Sequence, residues 1–156
     1  MGKPIRVGIT HGDINGIGYE VALKAISDER VPELFTPVFF GSPQIVEKAR
    51  REFKLELLPI HIVKNKGDIR DGKLNIVEIG VTHNDVEPGV PTEKSGMAAV
   101  KALELATAAL EDGDIQVLVT APISKKAVQS EEFRFPGHTE YLQQRLGNGA
   151  HALMIL

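Results

Sequence analysis

Three stretches of this sequence place polar and conformationally permissive residues where chemistry could occur. The first is Thr10-His11-Gly12-Asp13-Ile14-Asn15-Gly16-Ile17-Gly18-Tyr19-Glu20. Glycine lets a backbone approach a ligand closely, and the amides that open a helix attract anions. Asp13, Gly16 and Gly18 therefore mark a candidate loop for an anion or cofactor, with a purely structural tight turn as the alternative. The spacing is not the dinucleotide fingerprint, because the third glycine position after Gly16-x-Gly18 is Val21. The second stretch is Phe135-Pro136-Gly137-His138-Thr139-Glu140-Tyr141-Leu142. Here His138 could donate to a phosphate or carboxylate, and Thr139 could offer the same anion a hydroxyl and a helix-terminal amide. The alternative is capping, with Thr139 satisfying orphan amides, Glu140 favouring the dipole and His138 on the surface. The third is Thr120-Ala121-Pro122-Ile123-Ser124-Lys125-Lys126-Ala127, where a lysine could neutralise phosphate or Ser124 could simply cap an exposed helix.

These stretches need elements to hold them. Ile5 to Thr10 is short and β-branched and leads through glycines into a helical pattern over Tyr19 to Ile26, which reads as a strand, turn and helix. Phe35 to Gly41 returns to strand character. Ser42-Pro43 then signals a helix start, with Ile45, Ala49 and Phe53 on one face. Ile60 to Val63 and Leu74 to Ile79 read as strands, and Gly80 to Pro91 as a connection. A long helix over Glu93 to Leu110 carries Met97, Val100, Leu103, Leu105 and Leu110 among alanines, and Asp112-Gly113 stops it. Ile115 to Thr120 is a nearly continuous apolar run, which predicts an internal strand covered on both faces. A short helix from Ser124 follows. Strands alternating with helices predict an α/β fold: an open, mainly parallel sheet with helices on both faces. The run Ala152-Leu153-Met154-Ile155-Leu156 reads as the start of another central strand, so the expectation is a truncated chain whose fold is incomplete.

Composition narrows the chemistry. The 156 residues are 42% hydrophobic, enough for one buried domain, and 18 basic against 21 acidic residues leave a net charge of −3 without a long run of one sign. No nucleic-acid patch and no membrane partner is expected, and a small molecule is the better candidate. Cysteine is absent, so any metal would rest on His, Asp or Glu. No signal-peptide core or membrane-length apolar run is present, and the expected location is cytoplasmic. His11, His61, His83 and His151 are scattered without metal-ligand spacing, and structural or surface roles are expected for them.

In order and spacing, the segments THGDINGIGYE, TAPISKKAV and FPGHTEYL resemble the leading motifs of the 4-hydroxythreonine-4-phosphate dehydrogenase family. That resemblance implies a fold similar to isocitrate and isopropylmalate dehydrogenases, with 1–156 as the amino-terminal part of a larger two-domain dehydrogenase. It implies NAD- or NADP-linked oxidation of 4-phosphooxy-L-threonine with decarboxylation, in pyridoxal phosphate synthesis. It also implies a homodimer with a divalent metal, Zn, Mg or Co, at the subunit interface. Substrate binding carries over to His138 and Thr139, while the family's three metal-binding histidines lie farther along. No metal ligand and no general base is assigned within the chain, and the fragment alone is expected to be inactive. A paralogous dehydrogenase of four-carbon sugar-acid phosphates would share every motif, and a non-catalytic phospho-ligand module would share the fold. The first motif departs from the family's Thr-Pro-Gly-Asp-Pro-Ala-Gly-Ile-Gly-Pro-Glu: His11, Ile14 and Tyr19 stand in place of prolines, and Asn15 in place of alanine. Losing three ring-constrained φ angles is expected to loosen the turn.

Overall fold

The computed structural model describes residues 4–129 and 133–152. Five strands form one sheet: β1 (Arg6–Thr10), β2 (Thr36–Gly41), β3 (Ile60–Ile62), β4 (Leu74–Glu78) and β5 (Val117–Thr120), in the order β3-β4-β2-β1-β5. Every pairing is parallel. The helices are α1 (Gly18–Ile26), α2 (Val31–Leu34), α3 (Pro43–Glu52), α4 (Glu93–Glu111), α5 (Lys125–Val128) and α6 (His138–Leu146). A short strand rich in β-branched and aromatic residues suits a position covered on both faces, and β2 is buried along its whole length. Val38, Phe39, Phe40, Leu74 and Ile76 form the centre of the core, each worth roughly 1.5–3 kcal/mol on burial.

Alternation along β2 separates the two layers of helices. Phe39 meets the ring of Tyr19 in α1 edge-on at 5.3 Å, while Val38 and Phe40 line a cavity of about 280 Å³ together with Leu105, Ala108 and Ala109 of α4. α1 and α3 thus cover one face and α4 the other, as the sequence reading expects. Ser42 caps α3, its hydroxyl accepting from the Ile45 amide at 3.5 Å, with Pro43 in the first turn. The connection from β3 back to the start of β4 is pinned by buried Asn75, which donates to the Arg70 and Lys73 carbonyls and accepts from the Arg70 amide at 2.8 Å.

One expectation is corrected. The strand over Ile115 to Thr120 is not internal among the described residues: β5 lies at the sheet edge, and Val117 and Val119 are 44% and 49% exposed. Register places Val117 and Val119 beside Val7 and Ile9, on the face where Tyr19 of α1 meets Phe39, and at β5 the described residues leave that face uncovered. Only Ile115, just before the strand, is fully buried. In α4 the buried stripe consists mainly of small residues, Ser95, Gly96, Ala98, Ala99, Ala102, Ala106 and Thr107 with Leu103, whereas Met97 is 66% exposed. Small side chains let this helix approach both the sheet and α5 closely. Residues 153–156, the expected further strand, lie outside the described residues. No helix among them is long and apolar enough to cross a membrane.

Candidate functional site

The turns after β1 and β5 interlock at the carboxyl edge of the sheet. The Asp13 amide donates to the Pro122 carbonyl at 2.9 Å and the Ala121 amide to the Thr10 carbonyl at 3.3 Å. Gly12 adopts φ +71°, and a Cβ there would lie 2.3 Å from the Pro122 oxygen. A Cβ on Gly18 would lie 1.9 Å from the His11 carbonyl oxygen. Both positions therefore require glycine for close backbone packing. From these adjacent strands the chain departs to opposite faces, α1 toward Phe39 and α5 against α4. That is the crevice at a topological switch point where open α/β sheets receive ligands.

The chemistry available in this turn is that of backbone amides. Asp13 is committed locally, its carboxylate accepting from the Asn15 amide at 2.9 Å and its carbonyl from the Gly16 amide at 3.0 Å. Gly16 and Ile17 are exposed, and no side chain caps the amino end of α1. Its first amides therefore lack a side-chain partner, an arrangement suited to an anion.

A structural or surface role was expected for His11, and the structure gives it a structural one; the contacts that hold this turn were not legible in the sequence. His11 is completely buried and stacks on Tyr19, with centroids 5.2 Å apart and planes inclined by 23°. The Tyr19 hydroxyl accepts from the Ser42 amide at 2.8 Å, which ties the turn to the start of α3. Burial raises the Tyr19 pKa and pushes that of His11 down to about 4, opposed weakly by the nearby backbone of Ala98 and Gly12. Neither ring nitrogen of His11 has a hydrogen bond of normal geometry. Asn15 donates to the Val90 carbonyl at 2.7 Å and the Thr92 hydroxyl at 3.3 Å, and accepts from the Glu87 amide at 2.7 Å. Four departures from the family pattern clustered in one turn are the only signal the sequence offered.

His138 opens α6, and Thr139 is the second residue of that helix. Gly137 occupies the N-cap position and no side chain caps the helix, so Thr139 does not play the capping role that was the alternative for it. Thr139 is exposed and His138 half-buried, with burial lowering the imidazole pKa so that the neutral ring is favoured. α6 is anchored on α4 by Tyr141, which packs in a cluster with Phe133, Ala99 and Leu103. Arg145 pairs with Glu111 at 3.1 Å near the carboxyl ends of both helices. α6 thus runs alongside α4 in the same sense, with His138 and Thr139 toward the ligand-receiving edge. None of the hydrogen bonds that join the two glycine and proline turns involves either residue.

In the third motif Ser124 caps α5 and accepts from the Ala127 amide at 3.3 Å, while Lys125 and Lys126 are exposed. The structural alternative holds there. An open cleft of about 620 Å³ runs along α3 past Gln44, Lys48, Arg51 and His83, and none of the motif residues lines it. It is a surface groove on one helix face, and convergent polar groups with special geometry carry more weight than volume. Among the described residues no group of three His, Asp or Glu side chains converges to hold a metal.

Comparison with known proteins agrees with the motifs and the sheet. A 4-hydroxythreonine-4-phosphate dehydrogenase of Bacteroides thetaiotaomicron is 46% identical over 152 residues, spanning 97% of this chain and 42% of that protein. A D-threonate 4-phosphate dehydrogenase of Cupriavidus necator is 30% identical over 152 residues, 96% of this chain and 45% of its own length. Among solved structures, a 4-hydroxythreonine-4-phosphate dehydrogenase from Burkholderia phymatum superposes with a TM-score of 0.81 at 27% identity, covering 94% of this chain and 44% of that one. The chain spans less than half the length of these relatives. The family described as pyridoxal phosphate biosynthetic protein PdxA matches residues 33–156, which include the second and third motifs, and the chain belongs to that family.

Proposed function

We propose that the whole enzyme oxidises 4-phosphooxy-L-threonine to 2-amino-3-oxo-4-phosphooxybutyrate, which decarboxylates to 3-amino-2-oxopropyl phosphate, within pyridoxal phosphate synthesis. NAD or NADP is the hydride acceptor, and the working form is a homodimer with a divalent metal. The pair of interlocked βα turns at the switch point carries this reading, and the start of α6, with His138 and Thr139 and no side-chain cap, supports it. The amides opening α1 fit an anionic group such as a phosphate of the dinucleotide or substrate. A nicotinamide dinucleotide, when bound, would supply the hydride acceptor for the substrate carbinol. Among the described residues no group of side chains fits a metal.

Within this chain the work is positioning. A neutral His138 offers one N–H to an anionic end of the substrate, and Thr139 adds a hydroxyl and a backbone amide. Rigid placement of the substrate lowers the entropic part of the barrier. The relative from Cupriavidus necator, named as a D-threonate 4-phosphate dehydrogenase, supports a second reading in which the carbon bearing the amine carries a hydroxyl instead. Measuring kcat/KM of the full-length protein on 4-phosphooxy-L-threonine and on four-carbon sugar-acid phosphates separates the two. The first reading requires a preference for the amino acid of about tenfold or more. A preference of that size for the sugar acid selects the second.

A further inference from the structure

We propose that His11, with Tyr19, is a positioning residue that holds the glycine turn through the faces of the two stacked rings and not through the nitrogens of the imidazole. The proposal rests on reading that turn as a ligand-receiving loop. Three residues that stand in place of prolines, His11, Ile14 and Tyr19, are all buried, and Asn15 beside them spends its whole side-chain amide on residues 87–92. A proline would fix φ from within the backbone, whereas these side chains fix the same turn from outside by tertiary contact. The turn is therefore not loosened as its sequence suggests.

The rings account for the anchoring. His11 lies flat against Tyr19, Tyr19 meets Phe39 edge-on, and the Tyr19 hydroxyl receives the Ser42 amide, so one line of contact runs from the turn through the sheet to the start of α3. Neither imidazole nitrogen has a hydrogen-bond partner of normal geometry, and the nearby backbone of Ala98 and Gly12 only partly offsets the cost of burying them. What His11 supplies is a flat, rigid body of the correct width between its own Gly12 and α1. The His11 carbonyl is also the atom that a Cβ on Gly18 would strike, so the backbone of His11 and the amino end of α1 must keep their present separation.

The test uses the full-length protein with His11→Phe, His11→Asn and His11→Ala. Two readouts are taken: KM and kcat for NAD and for the phosphorylated hydroxy acid, and hydrogen exchange of amides 12–18. Phe keeps a ring without nitrogens and is expected to leave KM within about twofold, whereas Asn and Ala raise KM for the ligand held by the turn about tenfold with kcat little changed. Exchange over 12–18 accelerates in Asn and Ala, while β2 and α4 keep their protection. Tyr19→Leu, which removes the partner ring, should reproduce His11→Ala even if Phe overpacks the site. Rescue by Asn as complete as by Phe overturns the proposal, as does unchanged exchange in folded His11→Ala or Tyr19→Leu. Faster exchange with every KM unchanged upholds the ring-held turn and instead overturns the reading of that turn as a ligand loop.

Discussion

His11 and His138 are both histidines with lowered pKa, yet their surroundings give them different work. His11 has no solvent contact and a pKa near 4, so the folded protein binds its proton far more weakly than the unfolded chain, where the value is about 6.5. Above pH 6.5 both states are neutral at this site and it adds no pH dependence. As pH falls from 6.5 toward 4 the unfolded state is protonated first, and stability declines by roughly 2 kcal/mol by pH 5. Urea unfolding of the wild type and of His11→Phe at pH 7 and pH 5 isolates this contribution: the Phe variant should lose about 2 kcal/mol less than the wild type between the two. Equal losses would mean the ring is not buried neutral. His138 is half-exposed at an uncapped helix start, and its expected role is with the substrate. His138→Ala should lower kcat/KM of the full-length enzyme by roughly one to two decades while its unfolding midpoint changes little. A loss of activity that merely tracks a loss of stability would return His138 to a structural role.

Among the elements, strand, turn and helix starts were the most legible features. Ser42-Pro43 announced α3 because a hydroxyl N-cap and a proline in the first turn solve the same problem of orphan amides locally. Ser42→Ala should cost about 1 kcal/mol by urea unfolding, and an unchanged midpoint would show that the cap is redundant. The glycine turn was recognisable as a turn, but the reason for Gly18 was not, since the His11 carbonyl that excludes a Cβ becomes its neighbour only when the chain folds back. Gly18→Ala must displace that backbone or the start of α1 and should cost about 1–3 kcal/mol, along with weaker ligand binding at the turn. A fully stable Gly18→Ala with unaltered kinetics would contradict the close packing. α4 was legible as an element, while the structure alone decided its buried stripe, which is mainly alanine and other small residues with Leu103.

For the molecule as a whole, the parallel sheet gathers the first and third motifs at one edge, yet among the described residues no metal set converges. The 156-residue chain alone is therefore expected to show no metal-dependent reduction of NAD with phosphorylated hydroxy acids, and a measurable rate from the purified segment would refute this. Local chemistry was enough, from sequence alone, for the alternation of strands and helices, the helix caps and the motifs behind the family resemblance, because each depends on residues near one another in the chain. Sequence periodicity could not tell that, among the described residues, β5 lies at an edge with Val117 and Val119 uncovered, because burial of a strand depends on which elements arrive beside it. Nor could it tell that His11 and Tyr19 stack or that Asn15 reaches residues 87–92, since these contacts join positions separated by up to 77 residues and exist only after the sheet has brought the turns together. Ring constraint is a property of a residue and can be read from its letter, but constraint by packing belongs to the tertiary structure, and in this turn it is packing that holds the backbone.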